Sequence, residues 1–377
     1  MTKCFTLTLS RRKLLANAGQ LATLALAGCA APGTTLTNAA LSNAKLRLIG
    51  EARLPYRLPY RGTTVGGLSG LDFDAASGTY YLLSDDGGSN GPPRFYTAQL
   101  ALTADKLGDI ELTGVTFLQG VSMPDPEAIR WHAGSQSVFW TSEGNAAARV
   151  APALYQTKLD GSLQRTFALP AMFDFGLLTG SRINKTLEGL AISPDGQTAW
   201  LAMEAALRQD GAVPGVGVVS GPCRFTKIDL ASGKFLRQIA YQPDAVPRAP
   251  IPPQASADNG VTEILMLDAH RMLVLERAYM AGLGPAARNS LRVYQIDTRY
   301  GSNTLDVTAL RAGDFTAPAK RLVADFSDFP ALTQLDNTEG MAWGPLLANG
   351  SRSLLFISDD NFSAGQITQL LAFELTE

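Results

Sequence analysis

Large apolar residues recur at every second position in short runs along this chain, and the runs come in a repeated order. Five segments open that order: 67–73, 126–131, 187–192, 262–267 and 338–343. In each, large apolar side chains fall two and four places after Glu127, Glu188, Glu263 or Glu339, or after Ser69 in the first segment. That is the period of a strand with one buried face. The next residue is Gly or Ala in four of the five, which points to close packing on the other face. A turn follows, as at Ser193-Pro194-Asp195-Gly196, and then a second apolar run that ends in an acid. These runs are 80–85, 138–143, 199–204, 272–276 and 354–359. Third runs lie at 95–100, 154–159, 224–230, 291–296 and 369–375, and fourth runs at 109–118, 163–169, 235–241 and 321–326.

Four strands per unit, repeated radially, predict an all-β chain folded as a β-propeller. The fifth unit has three strands, and residues 45–56 supply a strand of the right length to complete it. Closing the ring in this way removes an exposed edge. Five blades is the count this gives, with the 305–310 region leaving a sixth, degenerate unit open. Two packed sheets would also give short alternating strands, but not the same four-part unit five times over. No helical period of any length occurs after residue 30.

Ahead of the repeats, residues 1–28 carry Lys3, Arg11, Arg12 and Lys13, no acid, and an apolar run from Leu21 to Gly28. A basic head, a short apolar run and small residues are the layout of a secretory signal, too short to span a bilayer. Ser10-Arg11-Arg12-Lys13-Leu14-Leu15 resembles a twin-arginine export motif, and Leu26-Ala27-Gly28-Cys29 resembles a bacterial lipobox. The expectation is cleavage before Cys29, a lipid on its thiol and a flexible tether over residues 29–44. The propeller domain then occupies 45–377, as a monomer on the periplasmic side of the cell envelope whose one membrane contact is the lipid.

Composition narrows the chemistry. The 377 residues are 46% hydrophobic and 18% charged, which argues against disorder. Lys and Arg number 32 against 34 Asp and Glu, so there is no basic excess for nucleic acid, and loss of residues 1–28 takes the formal charge from −2 to −6. Two histidines, His132 and His270, cannot make a three-histidine zinc site, and both fall at turns on the rim away from the acids. Three cysteines make no disulfide framework; Cys223 reads as a buried small hydrophobe. No nucleophile elbow, P-loop or dinucleotide fingerprint occurs.

What remains is carboxylates. In a propeller the first strand runs down the channel and the second returns beside it, so the acid opening one and the acid closing the other meet on one rim. Three units space the pair sixteen residues apart, the others thirteen and twenty. Glu127, Glu188, Glu263 and Glu339 are thus expected to ring the channel mouth, with Asp85, Asp86, Glu143, Glu204, Glu276, Asp359 and Asp360 just outside. So many carboxylates need protons, basic partners or a cation. Oxygen-only ligands suit Ca²⁺ before Mg²⁺, and Asp86 and Asp359 join the four Glu as candidate ligands. Each Glu could equally cap backbone N–H groups or pair with Arg as a structural repeat residue. Arg130, Arg149 and Arg277 are the candidates for holding an anion, with Arg94, Arg182, Lys185 and Arg208 nearby. Two long Gly/Pro-rich loops, 205–222 and 242–260, open on the same rim.

The stretches 66–73, 125–131, 186–196 and 337–344, followed by 356–361, carry E-G-φ-x-φ and then S-D-D motifs. They resemble the family called esterase-like activity of phytase, over most of the chain from Leu46 onward. The resemblance implies a propeller, calcium assistance and action on phosphate or carboxylic esters of small molecules. Ser69, standing where the other units have an acid, departs from a complete metal ring. The expectation is a calcium-assisted ester hydrolase with Glu188 and the three arginines in its site. The rival is a non-catalytic propeller that binds a ligand or an envelope protein through the same rim.

Overall fold

The computed structural model describes residues 41, 43–285 and 287–376. The leader over 1–28 and Cys29 lie outside the described residues. Strand β1 (Lys45–Leu54) is followed by a small hairpin, β2 (Pro59–Tyr60) and β3 (Thr63–Thr64). Blade 1 is β4 (Leu68–Asp74), β5 (Thr79–Ser84), β6 (Arg94–Leu102) and β7 (Leu107–Phe117). Blade 2 is β8 (Pro126–His132), β9 (Ser137–Ser142), β10 (Ala153–Lys158) and β11 (Leu163–Ala168). Blade 3 is β12 (Leu187–Ile192), β13 (Thr198–Met203), β14 (Cys223–Asp229) and β15 (Phe235–Tyr241). Blade 4 is β16 (Ala257–Met266), β17 (Arg271–Met280), β18 (Asn289–Asp297) and β19 (Arg321–Asp325). Blade 5 is β20 (Asn337–Leu346), β21 (Arg352–Asp359) and β22 (Thr368–Thr376), with β1 as its outer strand.

Every blade is an antiparallel four-stranded meander, and the molecule is a five-bladed propeller. β1 pairs with β22 from Lys45↔Thr376 to Leu54↔Thr368, which leaves neither end strand with an open inner edge. Among the described residues helical structure is limited to three 3₁₀ turns of three residues each. The apolar core lies between adjacent blades. Blades 1 and 2 meet through Tyr81, Phe95, Ile129 and Trp140, and blades 4 and 5 through Leu275, Phe326, Phe356 and Phe373.

Residues 298–320, which left a sixth unit open, form no strand. They cross from blade 4 onto the outer edge of blade 3. The Thr304 amide donates to the Gln238 carbonyl at 2.8 Å, Arg224 to the Val307 carbonyl at 2.8 Å, and the Leu310 amide to Asp210 at 2.7 Å. Lys320, at the end of the strap, pairs with Glu276 at 2.6 Å and Asp244 at 2.7 Å.

At Gly70 and Gly340 the innermost strands of adjacent blades are so close that a side chain does not fit. A Cβ on Gly70 would come within 2.6 Å of the Glu127 carbonyl of the next blade, and one on Gly340 within 2.8 Å of the Ser69 carbonyl. Just below, Arg130 of β8 fills the axis. Its Nη1 donates to the Leu71 and Ile129 carbonyls (2.8 and 2.7 Å), and its Nη2 to those of Met341 and Ile264 (3.0 and 3.1 Å). Nη2 also lies 2.7 Å from Glu263, with both side chains almost fully buried. Glu263 in turn accepts from the amides of Leu190 (2.8 Å) and Ile264 (2.9 Å). One ion pair therefore bonds to the innermost strand of all five blades.

Breaking a buried pair by removing one partner strands the other charge. Arg130→Leu is expected to cost about 3–5 kcal/mol of unfolding free energy by denaturant titration. Adding Glu263→Gln should recover part of that loss; a single variant as stable as the wild type would refute the axial role.

Candidate metal centre at the channel mouth

Register places the functional side chains. Each innermost strand carries a β-bulge against its neighbour, at Leu68/Gly70, Pro126/Ile129, Leu187/Gly189, Val261/Glu263 and Thr338/Gly340. A bulge re-aims a side chain, and the bulged residues are Ser69, Glu127, Glu188, Thr262 and Glu339. On the second strands, the residues that follow the pair flanking each bulge are Asp85, Glu143, Glu204, Arg277 and Asp359. In blade 4 the repeat position thus belongs to Thr262 rather than Glu263, and Arg277 rather than Glu276 stands at the second-strand position. Glu263 sits where Gly70, Gly189 and Gly340 sit in other blades, one residue further along and inside the axis.

Glu127, Glu188 and Glu339 do converge, with Glu143 and Glu204 beside them. Oxygens of Asp125, Glu127 and Glu143 lie within 4.8 Å of one another, as do those of Glu143, Glu188 and Glu204. Glu127 and Glu188 are 9% and 6% exposed, and among the described residues their carboxylates carry no hydrogen bond or ion pair. The others are held. The Thr186 amide donates to Glu143, Lys185 pairs with Glu204 at 3.3 Å and with Asp258, and Arg277 lies 3.2 Å from Glu339 and 3.8 Å from Glu204. Asn337 donates to Glu339 (2.9 Å) and Asp359 (3.1 Å), and the Asn361 amide to Asp359 (2.7 Å).

Charge at the mouth is therefore lopsided. Among the described residues, Asp85, Asp125, Glu127, Glu143, Glu188, Glu204, Glu339 and Asp359 face two cations, Lys185 and Arg277. Burial, then mutual repulsion, pushes the carboxyls of Asp85, Glu127, Glu143 and Glu188 well above the usual range. Asp125 is pushed up to about 6 by burial. For Arg277, burial opposes the charge, but Glu339 and Glu204 outweigh it and hold the guanidinium ionised.

The remaining expected site residues lie elsewhere. Arg130 and Glu263 form the axial pair. Asp86 is a loop anchor, 2.9 Å from Arg94 and accepting from the amides of Ser89 and Asn90. Asp360 accepts from the amides of Gly67 and Phe362. Glu276 belongs to the crevice between blades 3 and 4, bonded to Tyr241, Asn259 and Lys320. Arg149 is exposed on the loop between β9 and β10. Cys223 is buried, its thiol donating to the Glu204 carbonyl and pushed up by burial. His132 and His270 are at turns on the far rim. Asp125 was missed by sequence reasoning; it lies two residues before Glu127, hence on the same side of an extended chain.

A cavity of about 550 Å³ opens beside the carboxylates between blades 4 and 5, lined by Asp258, Arg277, Tyr279, Arg288, Asn289 and Asn337 among others. A second, of about 500 Å³, lies at the other end of the axis beyond Arg130, walled by Trp131, Met266 and Trp343. It shares no residue with the carboxylate cluster.

The fold and site define a class: a five-bladed propeller with carboxylates of several blades gathered at one end of its axis. The chain belongs to the phytase-like family described as esterase-like activity of phytase, whose model matches residues 63–362. No curated protein sequence matches it. Among solved structures it is similar to a GH43 β-1,3-galactosidase, BT3683, solved with galactodeoxynojirimycin (10% identity, TM-score 0.47, 85% of this chain and 94% of that one). It is also similar to MPT-4, a mannose phosphorylase from Leishmania mexicana solved with phosphate (10%, 0.43, 86% and 88%). A third is the periplasmic gluconolactonase PpgL of Pseudomonas aeruginosa (13%, 0.35, 83% and 90%). Likeness at these values bears on no residue and no activity of this chain.

The raised carboxyls fix the sign of a pH effect. They keep protons in the native state after the unfolded chain, with carboxyls near ~4, has lost them. Without metal, stability is therefore highest at the acid end and falls as pH rises from ~4 through about 6, where Asp125 ionises, and beyond. Denaturant titrations in chelator between about pH 5 and about pH 8 should show this fall. Glu188→Gln, which removes one repelling charge, should be more stable than the wild type at the upper end. Stability that is flat or rises across this window would contradict the crowding.

Proposed function

We propose that this chain is an exported, calcium-assisted hydrolase of phosphate esters or related carboxylic esters and lactones, working at the carboxylate mouth. One observation carries the reading: Glu127 and Glu188 are buried carboxylates without protein donors, within a cluster whose oxygens approach to 4.8 Å. An all-carboxylate donor set fits a hard cation, and calcium takes several such oxygens. Asp125, Glu127, Glu143, Glu188 and Glu204 would hold it. Calcium there supplies Lewis-acid character toward an ester oxygen and the positive charge that lets these carboxylates ionise.

The chain's own groups do the rest. Arg277 and Arg288 line the adjoining cavity and offer charge-assisted donors to an anionic ester oxygen. Asn289 and Asn337 add neutral donors to orient the remainder of a small substrate. Lys185 holds Glu204 and Asp258 in place at the cavity's edge. The lipobox-like segment at Cys29 supports a place in the bacterial cell envelope, tethered by lipid and facing the periplasm as a monomer.

Thermal unfolding with calcium and with chelator, paired with a panel of phosphoester, lactone and carboxylic ester substrates, tests the reading. Calcium should raise Tm and chelator reverse it. Turnover should depend on calcium, and Glu188→Gln should lose roughly a hundredfold or more in kcat/KM with the fold retained. A Tm indifferent to chelator together with no turnover would contradict it and favour a non-catalytic binding propeller.

A further inference from the structure

Three loops on the mouth rim interlock around blade 3. The Arg208 amide donates to the Gly180 carbonyl at 2.9 Å and the Val246 amide to the Gly215 carbonyl at 3.0 Å, and Arg182 donates to the Ala206 and Gly211 carbonyls. These are the loops that lead into Lys185 and Glu188, out of Glu204, and into Asp258. Their tips are aliphatic and bare. Leu177 and Leu178 are 94% and 84% exposed, Val219 is 71% exposed, and Ile183, Val216 and Val218 are also exposed. Aliphatic side chains gathered on one face mark a contact surface, whereas single ones need no explanation.

A second observation says what kind of surface covers them. Arg182 and Arg208 lie in these loops, with Arg182 Nε on the Ala206 carbonyl two residues before Arg208, and burial, then the nearby Arg208 charge, lowers the pKa of Arg182. No carboxylate among the described residues forms an ion pair with either, and the buried Nε of Arg208 has no partner. Exposed aliphatics around an unneutralised basic pair are complementary to an anionic lipid surface, with acyl chains for the tips and phosphate headgroups for the arginines.

We propose that this collar docks on an anionic lipid bilayer, a membrane contact beyond the N-terminal lipid and independent of any metal at the mouth. β1 begins at the opposite rim, because Lys45 pairs with Thr376 while Leu54 pairs with Thr368. The collar and the start of β1 therefore lie on opposite rims.

Flotation of the full chain carrying Cys29→Ser, in chelator, with phosphatidylglycerol/phosphatidylcholine vesicles and with phosphatidylcholine alone, tests it. The chain should bind the anionic vesicles preferentially. Arg182→Gln and Arg208→Gln should each weaken binding roughly fivefold, and Leu177→Asp with Leu178→Asp should weaken it at least tenfold or so by placing charge at the interface. Melting temperatures check that each variant is folded. Equal flotation of the Asp-substituted tips and the parent, or equal binding to neutral vesicles, would overturn the proposal. So would inorganic phosphate raising Tm through Arg182 and Arg208 with no vesicle binding, which would make the pair a free-anion site.

Discussion

One buried ion pair sets the terms for everything above it. A guanidinium on the axis would be prohibitively costly to bury unless its two terminal nitrogens were satisfied. Arg130 is accommodated because four inward-facing carbonyls and Glu263 surround it. Glu263 is accommodated because two amides and Arg130 surround it. Burial alone pushes the Glu263 carboxyl up, and Arg130 and the amides pull it back toward about 7. The pair thus fills the axis at one level and divides the channel into two unlike ends: an acidic mouth, and a cavity walled by tryptophans.

The mouth is polarised because blade 4 breaks the repeat. Four blades offer an acid on the second strand just past the pair that flanks the bulge, whereas blade 4 offers Arg277, and like blade 1 with Ser69 it has a hydroxyl, Thr262, in place of a bulge carboxylate. Arg277 leans on Glu339 and Glu204 and neutralises that side, leaving Asp125, Glu127, Glu143 and Glu188 as the uncompensated side. A site with crowded carboxylate oxygens on one flank and a fixed guanidinium on the other has a direction. A fully symmetric ring of five acids would have none.

Much of this was legible in the sequence, and the exceptions have physical reasons. Blade number, strand order and the closing strand follow from where apolar runs fall, because inter-blade burial imposes them. The register of blade 4 was not legible. Ile264, Leu265, Met266 and Leu267 are all apolar, so period-two alignment fits two registers, and a one-residue slip reverses the faces. Glu263 was accordingly placed in the mouth and Arg277 outside the repeat. Asp86 and Asp360 look like mouth acids because each directly follows one, yet successive residues on an extended chain point apart, and both secure loops. Residues 298–320 gave no pattern because their partners, Gln238, Asp210 and Arg224, are polar groups of another blade.

The central claim is that the carboxylates over Arg130 are too crowded to ionise alone and exchange protons for a cation. Calorimetric titration of calcium into the chain near about pH 6, repeated in two buffers of different ionisation enthalpy, measures this exchange directly. The account predicts that calcium binds and that about one proton or more is released per ion. Binding with no buffer-dependent heat, or no binding at all, would contradict it.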